Sequence, residues 1–267
     1  TIDCNNVGGQ HHVVLGTYID GDYQTRINIE HIVIRNIVTK NVPVDPTVTT
    51  YRANVFLIVW HGAAGEAQTN IRDILVENCD FRGGNVGVAI GGNGPNVIGI
   101  KVFVDGVYIH NCRHSLLSAQ SSFFTALNFL IGSWGYGGYG RISDCYGEYS
   151  GDVGVEINNM NALVENVTIR DAYEDAFYHV NFNNLLPSNE QVITFKDCEA
   201  RRISLADANG FKFVTTLSTG LGSVIMENCK SYGVGGAGGT ALWFCPTHGF
   251  RRLDIRGFKA DDESILV

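Results

Sequence analysis

Proline is scarce in this sequence, 5 residues among 267, and methionine is scarcer still at 2. Glycine is abundant at 32. Gly without Pro, between many short β-branched runs, indicates all-β structure with tight turns rather than disorder. No apolar run reaches the length of a membrane-spanning helix. Basic stripes are also missing, and the formal net charge is −8, which argues against nucleic acid as a partner. The same charge argues more weakly against an anionic polymer, because a local basic patch can still serve one. The opening Thr1-Ile2-Asp3-Cys4 has neither a basic start nor an apolar stretch, so no signal peptide is expected there. The expectation is a mature form or an excised fragment that begins inside a strand. Leucine-rich, ankyrin and tetratricopeptide signatures are absent as well.

What is present is a different repeat. Five cysteines follow Asn or Asp: Asn78-Cys79, Asn111-Cys112, Asp144-Cys145, Asp197-Cys198 and Asn228-Cys229, at gaps of 33, 33, 53 and 31 residues. Arg170-Asp171-Ala172 divides the long gap, and Arg35-Asn36-Ile37 and Arg256-Gly257-Phe258 extend the series at either side. Each copy follows an alternating stretch such as Ile32-Val33-Ile34, Ile74-Leu75-Val76 or Val224-Ile225-Met226, which reads as a strand with one buried face. A period near 30 residues suits one coil of three short strands and three turns. The Asn or Asp then stacks as a ladder at one turn, and the residue after it points inward. Seven cysteines is an odd number, with neither zinc spacing nor a compact disulfide framework. Five of them fit the inward column as small hydrophobes, although neighbours there would lie near disulfide distance. Cys4 and Cys245 fall outside the column.

This pattern resembles the pectate-lyase-like superfamily of parallel β-helix proteins, from about Ile27 to Phe258. The resemblance implies a single domain over 1–267: an all-β, single-stranded right-handed parallel β-helix, a solenoid of about eight coils by the eight ladder copies. Members of the superfamily include polysaccharide lyases, polygalacturonase-type hydrolases, alginate epimerases and phage tailspikes. The resemblance therefore implies a polysaccharide or surface glycan as partner, a secreted or virion-surface location and, for the tailspike case, a homotrimer.

Two segments depart from the repeat. One is the loop around Val42-Pro43-Val44-Asp45-Pro46. The other is an aromatic, Gly-rich insertion at about 115–140, holding Phe123, Phe124, Phe129, Trp134, Tyr136 and Tyr139. Insertions in solenoids often shape the binding face. Phe123, Phe124 and Phe129 are expected to bury. Trp134, Tyr136 and Tyr139 either stack on sugar rings or cover the solenoid, since their polar edges suit partly wet sites.

A second strand recurs after the ladder turn: 152–157 (Asp-Val-Gly-Val-Glu-Ile), 175–180 (Asp-Ala-Phe-Tyr-His-Val) and 209–214 (Asn-Gly-Phe-Lys-Phe-Val). Alternation turns Val155 and Ile157 inward and Glu156 outward. Aligning these segments end to end predicts Glu156, His179 and Lys212 in one outward column, Tyr178 inward, and Asp152 and Asp175 in a second column at the strand entrance. Neighbouring carboxylates repel, which raises one pKa unless a cation lies between them, and a raised carboxyl is what a general acid needs. Carboxyls about 5–5.5 Å apart suit retaining glycosidases. Asp152 with Asp175 or Glu174 is one candidate pair, and Glu156 with His179 is another. His179 is suited to proton transfer near neutral pH, and Lys212 to stabilising developing negative charge. The same residues also suit a solvated face, and a carboxylate column can hold Ca²⁺ for purely structural reasons. No metal site is assigned.

The polygalacturonase-type motifs Asn-Thr-Asp, Gly-His-Gly and Arg-Ile-Lys are absent. Residues 173–179, Tyr-Glu-Asp-Ala-Phe-Tyr-His, are loosely similar to the Tyr, Asp and His cluster of alginate epimerases and lyases. The leading functional expectation is cleavage of a polysaccharide, by hydrolysis or elimination, on the solenoid flank. The alternatives are a glycan-binding tailspike-type module and a structural adhesin or filament solenoid.

Overall fold

The alternation becomes strands wherever one side chain in two has somewhere to bury. Asn161–Glu165 buries Ala162 and Val164 and turns Asn161, Leu163 and Glu165 toward solvent. Gln191–Lys196 does the same with Ile193 and Phe195. The computed structural model describes residues 1–4, 12–20, 28–43, 52–60, 68–93, 101–115, 127–132, 137–181, 191–203, 208–215, 222–234, 239–246, 250–261 and 264–266, all of them strand or turn, with no helix among them.

The strand pairings are parallel, and from Leu127–Gly132 onward each strand pairs with the one three places later. Tyr139–Ser143 pairs with Asn161–Glu165, Tyr146–Glu148 with Thr168–Arg170, and Val155–Asn158 with Phe177–Asn181. The strands therefore fall into three parallel stacks, the pairing pattern of a β-solenoid. The first sheet carries the strands before the ladder turn, the second those just after it, and the third the strands that follow. The first two merge where Gln68–Arg82 and Lys101–Ser115 run on past the turn.

The ladder exists, and its backbone explains its residues. Asn36, Asn78, Asn111, Asp144, Asn166, Asp197, Asn228 and Gly257 all have φ between 48° and 66°, the left-handed region that Gly, Asn and Asp tolerate best. Side chains bond from rung to rung: Asn111 Nδ2 donates to Asn78 Oδ1 at 2.8 Å, Asn166 Nδ2 to Asp144 Oδ1 at 2.7 Å, and Asn228 Nδ2 to Asp197 Oδ1 at 3.2 Å. One expected member is corrected. The rung between Asp144 and Asp197 is Asn166-Val167, because Asn166 N donates to Lys196 O and Thr168 N to Cys145 O. Asp171 also has a left-handed φ, 55°, but it marks the next turn, between the second and third sheets, and Ala172 is buried there rather than in the cysteine column.

That column reads Cys79, Cys112, Cys145, Val167, Cys198 and Cys229, each 0–3 % exposed. All seven cysteines are free thiols. Their neighbours on the inward faces are Val, Ile and Phe, and toward the later repeats the core is aromatic. Phe177 stacks on Phe211 at 4.6 Å between ring centroids, Phe213 stacks on Phe244 at 5.1 Å, and Phe195 packs edge-on against Phe177, Phe211 and Phe213. Burial of one such ring contributes roughly 1.5–3 kcal/mol.

The aromatic insertion is narrower than expected. Leu127–Gly132 is an ordinary third-sheet strand between Val86–Asn93 and Val155–Asn158, and Phe129 is fully buried in the core. Phe123, Phe124, Trp134 and Tyr136 lie outside the described residues.

Candidate functional site

The third sheet fixes which side chains face outward. Its register matches Val155 with Phe177 and Phe211, and Glu156 with Tyr178 and Lys212. The outward row on consecutive strands is therefore Ala89, Leu130, Glu156, Tyr178, Lys212 and Trp243. This corrects the expected alignment by one residue, and in a strand one residue exchanges the faces. Tyr178 is outward, between Glu156 and Lys212. His179 is inward, between Ile157 and Phe213, and 3 % exposed. Apolar packing against Phe177, Phe211 and Leu242 sets the register; matching acid to acid does not.

The row changes character along its length. Phe56 and Ile58, together with Ala89, are buried in a second small apolar cluster against which Leu130 packs. Charge begins at Glu156. Around it gather Asp152, Glu174 and Asp175 from the segments leading into the strands. Asp152 shares a hydrogen bond with Glu174, and the charge of Asp175 acts on it more weakly. Burial, and then the charges of Glu156 and Glu174, push the Asp152 carboxyl up to about 8. Burial also raises Glu156, partly offset by the Asn158 amide, whose Nδ2 donates to Glu156 Oε1 at 2.5 Å. Tyr178 is raised by burial and by the carboxylates of Glu156, Asp175 and Asp152.

Asp175 is held differently. Its Oδ1 accepts from the Asn209 backbone N at 2.9 Å and from Asn209 Nδ2 at 2.7 Å. Its Oδ2 lies 3.0 Å from Lys212 Nζ. The same ammonium sits over the Tyr178 ring at 5.2 Å and the Trp243 ring at 4.8 Å. Lys212 is thus fixed by one carboxylate and two aromatic faces, a placement of a kind that cation–π attraction favours.

His179 takes no place on this face. Its Nδ1 meets Ile157 O at 3.0 Å, and burial lowers its pKa to about 4, so the ring is neutral at physiological pH. Tyr139 is 40 % exposed but belongs to the first sheet, where its ring lies 6.4 Å from that of Tyr108. Of the expected site residues, the structure brings together Asp152, Glu156, Glu174, Asp175 and Lys212. Sequence reasoning missed Tyr178, Trp243, Asn158 and Asn209. The signal for Tyr178 was available in the inward Phe177 and Phe211, whose ring positions determine the register.

Chemically, the face offers a half-buried acid that keeps its proton at neutral pH, a second carboxyl beside a fixed ammonium, a phenol between Glu156 and Lys212, and an indole. Among the described residues no three His, Cys, Asp or Glu side chains are placed to hold a metal ion. Compared with protein-family models, with curated proteins and with solved structures, the chain matches none.

Proposed function

We propose that the outer face of the third sheet binds and cleaves a polysaccharide, on a right-handed single-stranded parallel β-helix of about eight coils, one for each of the eight ladder positions. The observation that carries this reading is the Asp152–Glu174 pair, in which one carboxyl is kept protonated to about pH 8 by burial and like charge. A carboxyl in that state is a general acid for a glycosidic oxygen. Glu174 or Glu156 supplies the second carboxylate that retaining and inverting glycosidases require. Tyr178 stands between Glu156 and Lys212, and Trp243 and the Tyr178 ring offer flat surfaces for a sugar. Lys212 contributes a fixed positive charge for developing negative charge. In an elimination the same ammonium would neutralise a uronate carboxylate and Tyr178 would take part in the proton transfer.

A second reading is a module that holds a surface glycan without cleaving it, as a secreted or virion-borne receptor binder. The specific observation in its favour is the Tyr178–Lys212–Trp243 arrangement, which suits a platform as well as a catalytic cleft. Incubation with a panel of neutral and acidic polysaccharides separates the two. New reducing ends alone mean hydrolysis, and reducing ends with ultraviolet absorbance from an unsaturated uronate mean elimination. Binding without either product means a lectin-like module. Wild-type turnover by Asp152→Asn would remove the proposed acid from the mechanism.

A further inference from the structure

The second sheet carries a cluster that the proposed cleavage does not use. Its outward row runs Glu148, Arg170, Arg201 and Tyr232 on consecutive strands, and Arg202 lies beside it at a left-handed φ of 52°. A hollow of about 460 Å³ opens here, lined by Arg201, Arg202, Tyr232, Gly233 and Asp261. Gly233 lines it at a left-handed φ of 62°, a backbone conformation that other side chains rarely adopt.

The arginines are oriented rather than neutralised. Asp171 accepts from Arg202 Nε at 2.6 Å and Nη2 at 2.5 Å, and also from Arg170 Nε at 2.9 Å. Glu199 is paired with Arg201 and lies 3.9 Å from Lys230. Glu148 lies 3.6 Å from Arg113 and 4.0 Å from Arg170. Five cations thus share three carboxylates in a protein whose net charge is −8. A guanidinium has five N–H donors in a rigid fork; Asp171 engages two of those on Arg202 and leaves the outer edge for another acceptor. Arg201 and Arg202 are 55 % and 56 % exposed, while Asp171 and Glu199 are 17 % and 14 % exposed. The acids lie beneath and the forks face out. Paired forks of this kind can bind two oxygens of a planar carboxylate or of a tetrahedral sulfate at once, and Tyr232 adds an aromatic face of the sort on which a sugar ring can rest.

We propose that this hollow binds an anionic polysaccharide, with one charged group gripped by Arg201 and Arg202 and the sugar against Tyr232. The rim carboxylate of Asp261 accepts hydroxyls of the same chain. The site is separate from the carboxylates of the third sheet, and its test is independent of cleavage, because binding is read directly and products are not.

The test measures binding of the whole protein to dextran sulfate, polygalacturonate and uncharged dextran by titration calorimetry, at low and at physiological salt. Uncharged dextran should not bind. At least one charged polymer should, more tightly at low salt; sulfate alone or uronate alone identifies the gripped group. Arg201→Gln with Arg202→Gln should weaken binding at least tenfold, while Arg256→Gln on the first sheet should leave it unchanged. If the double variant melts below the assay temperature, Arg201→Gln alone carries the same tenfold criterion, since the Arg201 side chain is paired with Glu199 and leaves the Asp171–Arg202 side-chain bonds in place. Binding of dextran as tight as of the charged polymers, no binding of either charged polymer, or wild-type affinity in the arginine variants would each overturn the proposal.

Discussion

Lys212 reaches across one strand spacing to Asp175, Nζ to Oδ2 at 3.0 Å, and Asp175 has almost no other access to solvent: its side chain is 5 % exposed. Such a pair is costly to break from one side, because the remaining charge is stranded. Lys212→Met should lose about 3 kcal/mol of stability, at the lower end for buried pairs since Asn209 still donates twice to Asp175. Asp175→Asn combined with Lys212→Met should recover most of it. A double-mutant cycle by urea denaturation measures the coupling; additive losses would mean the two groups do not support each other.

Asp152 makes stability fall as pH rises from about 4 to about 8. Its folded-state pKa of about 8 lies above the ordinary carboxyl value. Between about pH 4 and pH 8 the folded protein keeps a proton that the unfolded chain has released, so stability declines as pH rises through that window. Asp152→Asn should match wild type at pH 4 and exceed it at pH 9 by on the order of 2 kcal/mol, after discounting for partial solvent screening. Denaturation curves at the two pH values decide this. Identical pH slopes in variant and wild type would mean that Asp152 ionises normally.

Two buried histidines act in the opposite direction, between about pH 4 and pH 6.5. His179 and His114 are each lowered to about 4 by burial, with His114 held by Gly83 O at 3.1 Å and by Asn128 Nδ2 at 2.8 Å. A depressed base leaves the protein fully stable above about pH 6.5, and that stability is lost as pH falls toward 4, by roughly 3 kcal/mol for each histidine. His179→Phe extends the aromatic stack of Phe213 and Phe244 and should flatten the acid limb by about half. Melting temperatures from pH 7 to pH 4 provide the measurement, and an acid limb as steep as in wild type would rule His179 out as its source. Glycan binding should survive the substitution, since the ring faces the core.

Asn166 tests the ladder. Ala there must hold a φ of 52° without a local hydrogen bond, costing about 1–2 kcal/mol for the backbone and about 1 kcal/mol for the lost bond to Asp144. Asn166→Gly avoids the first cost and should be the milder change by about 1 kcal/mol. Equal losses in thermal melts would mean that the conformation contributes nothing.

The turn residues made the solenoid readable, because a left-handed backbone accepts few side chains and Asn78, Asn111, Asp144, Asp197 and Asn228 advertise it. The repeat at Asn166 was hidden for a specific reason: Val167 replaces the usual cysteine, and Asp171-Ala172, at another left-handed turn, imitates the motif. The chemical face was legible in composition and not in register. Asp152, Glu156, Glu174, Asp175 and Lys212 do converge, yet aligning Asp152 with Asp175 moved His179 outward and Tyr178 inward. Side-chain charge says little about facing; the bulk of Phe177 and Phe211 says more. Trp243 and Asn209 join only through strand pairing across about thirty residues of sequence, which no local pattern records.

From Leu127–Gly132 onward, where strands bond to those three places further along the chain, the stacking is in effect one-dimensional. Ordering one repeat creates the template for the next, so folding can nucleate at any well-packed stretch and spread along the axis. The phenylalanine-rich repeats from Phe177 to Phe244 are the natural starting point. Defects should stay local for the same reason, and amide hydrogens should exchange fastest at Asn28–Arg35 and Arg252–Arg256, outer strands of the first sheet, and slowest near Val155–Asn158.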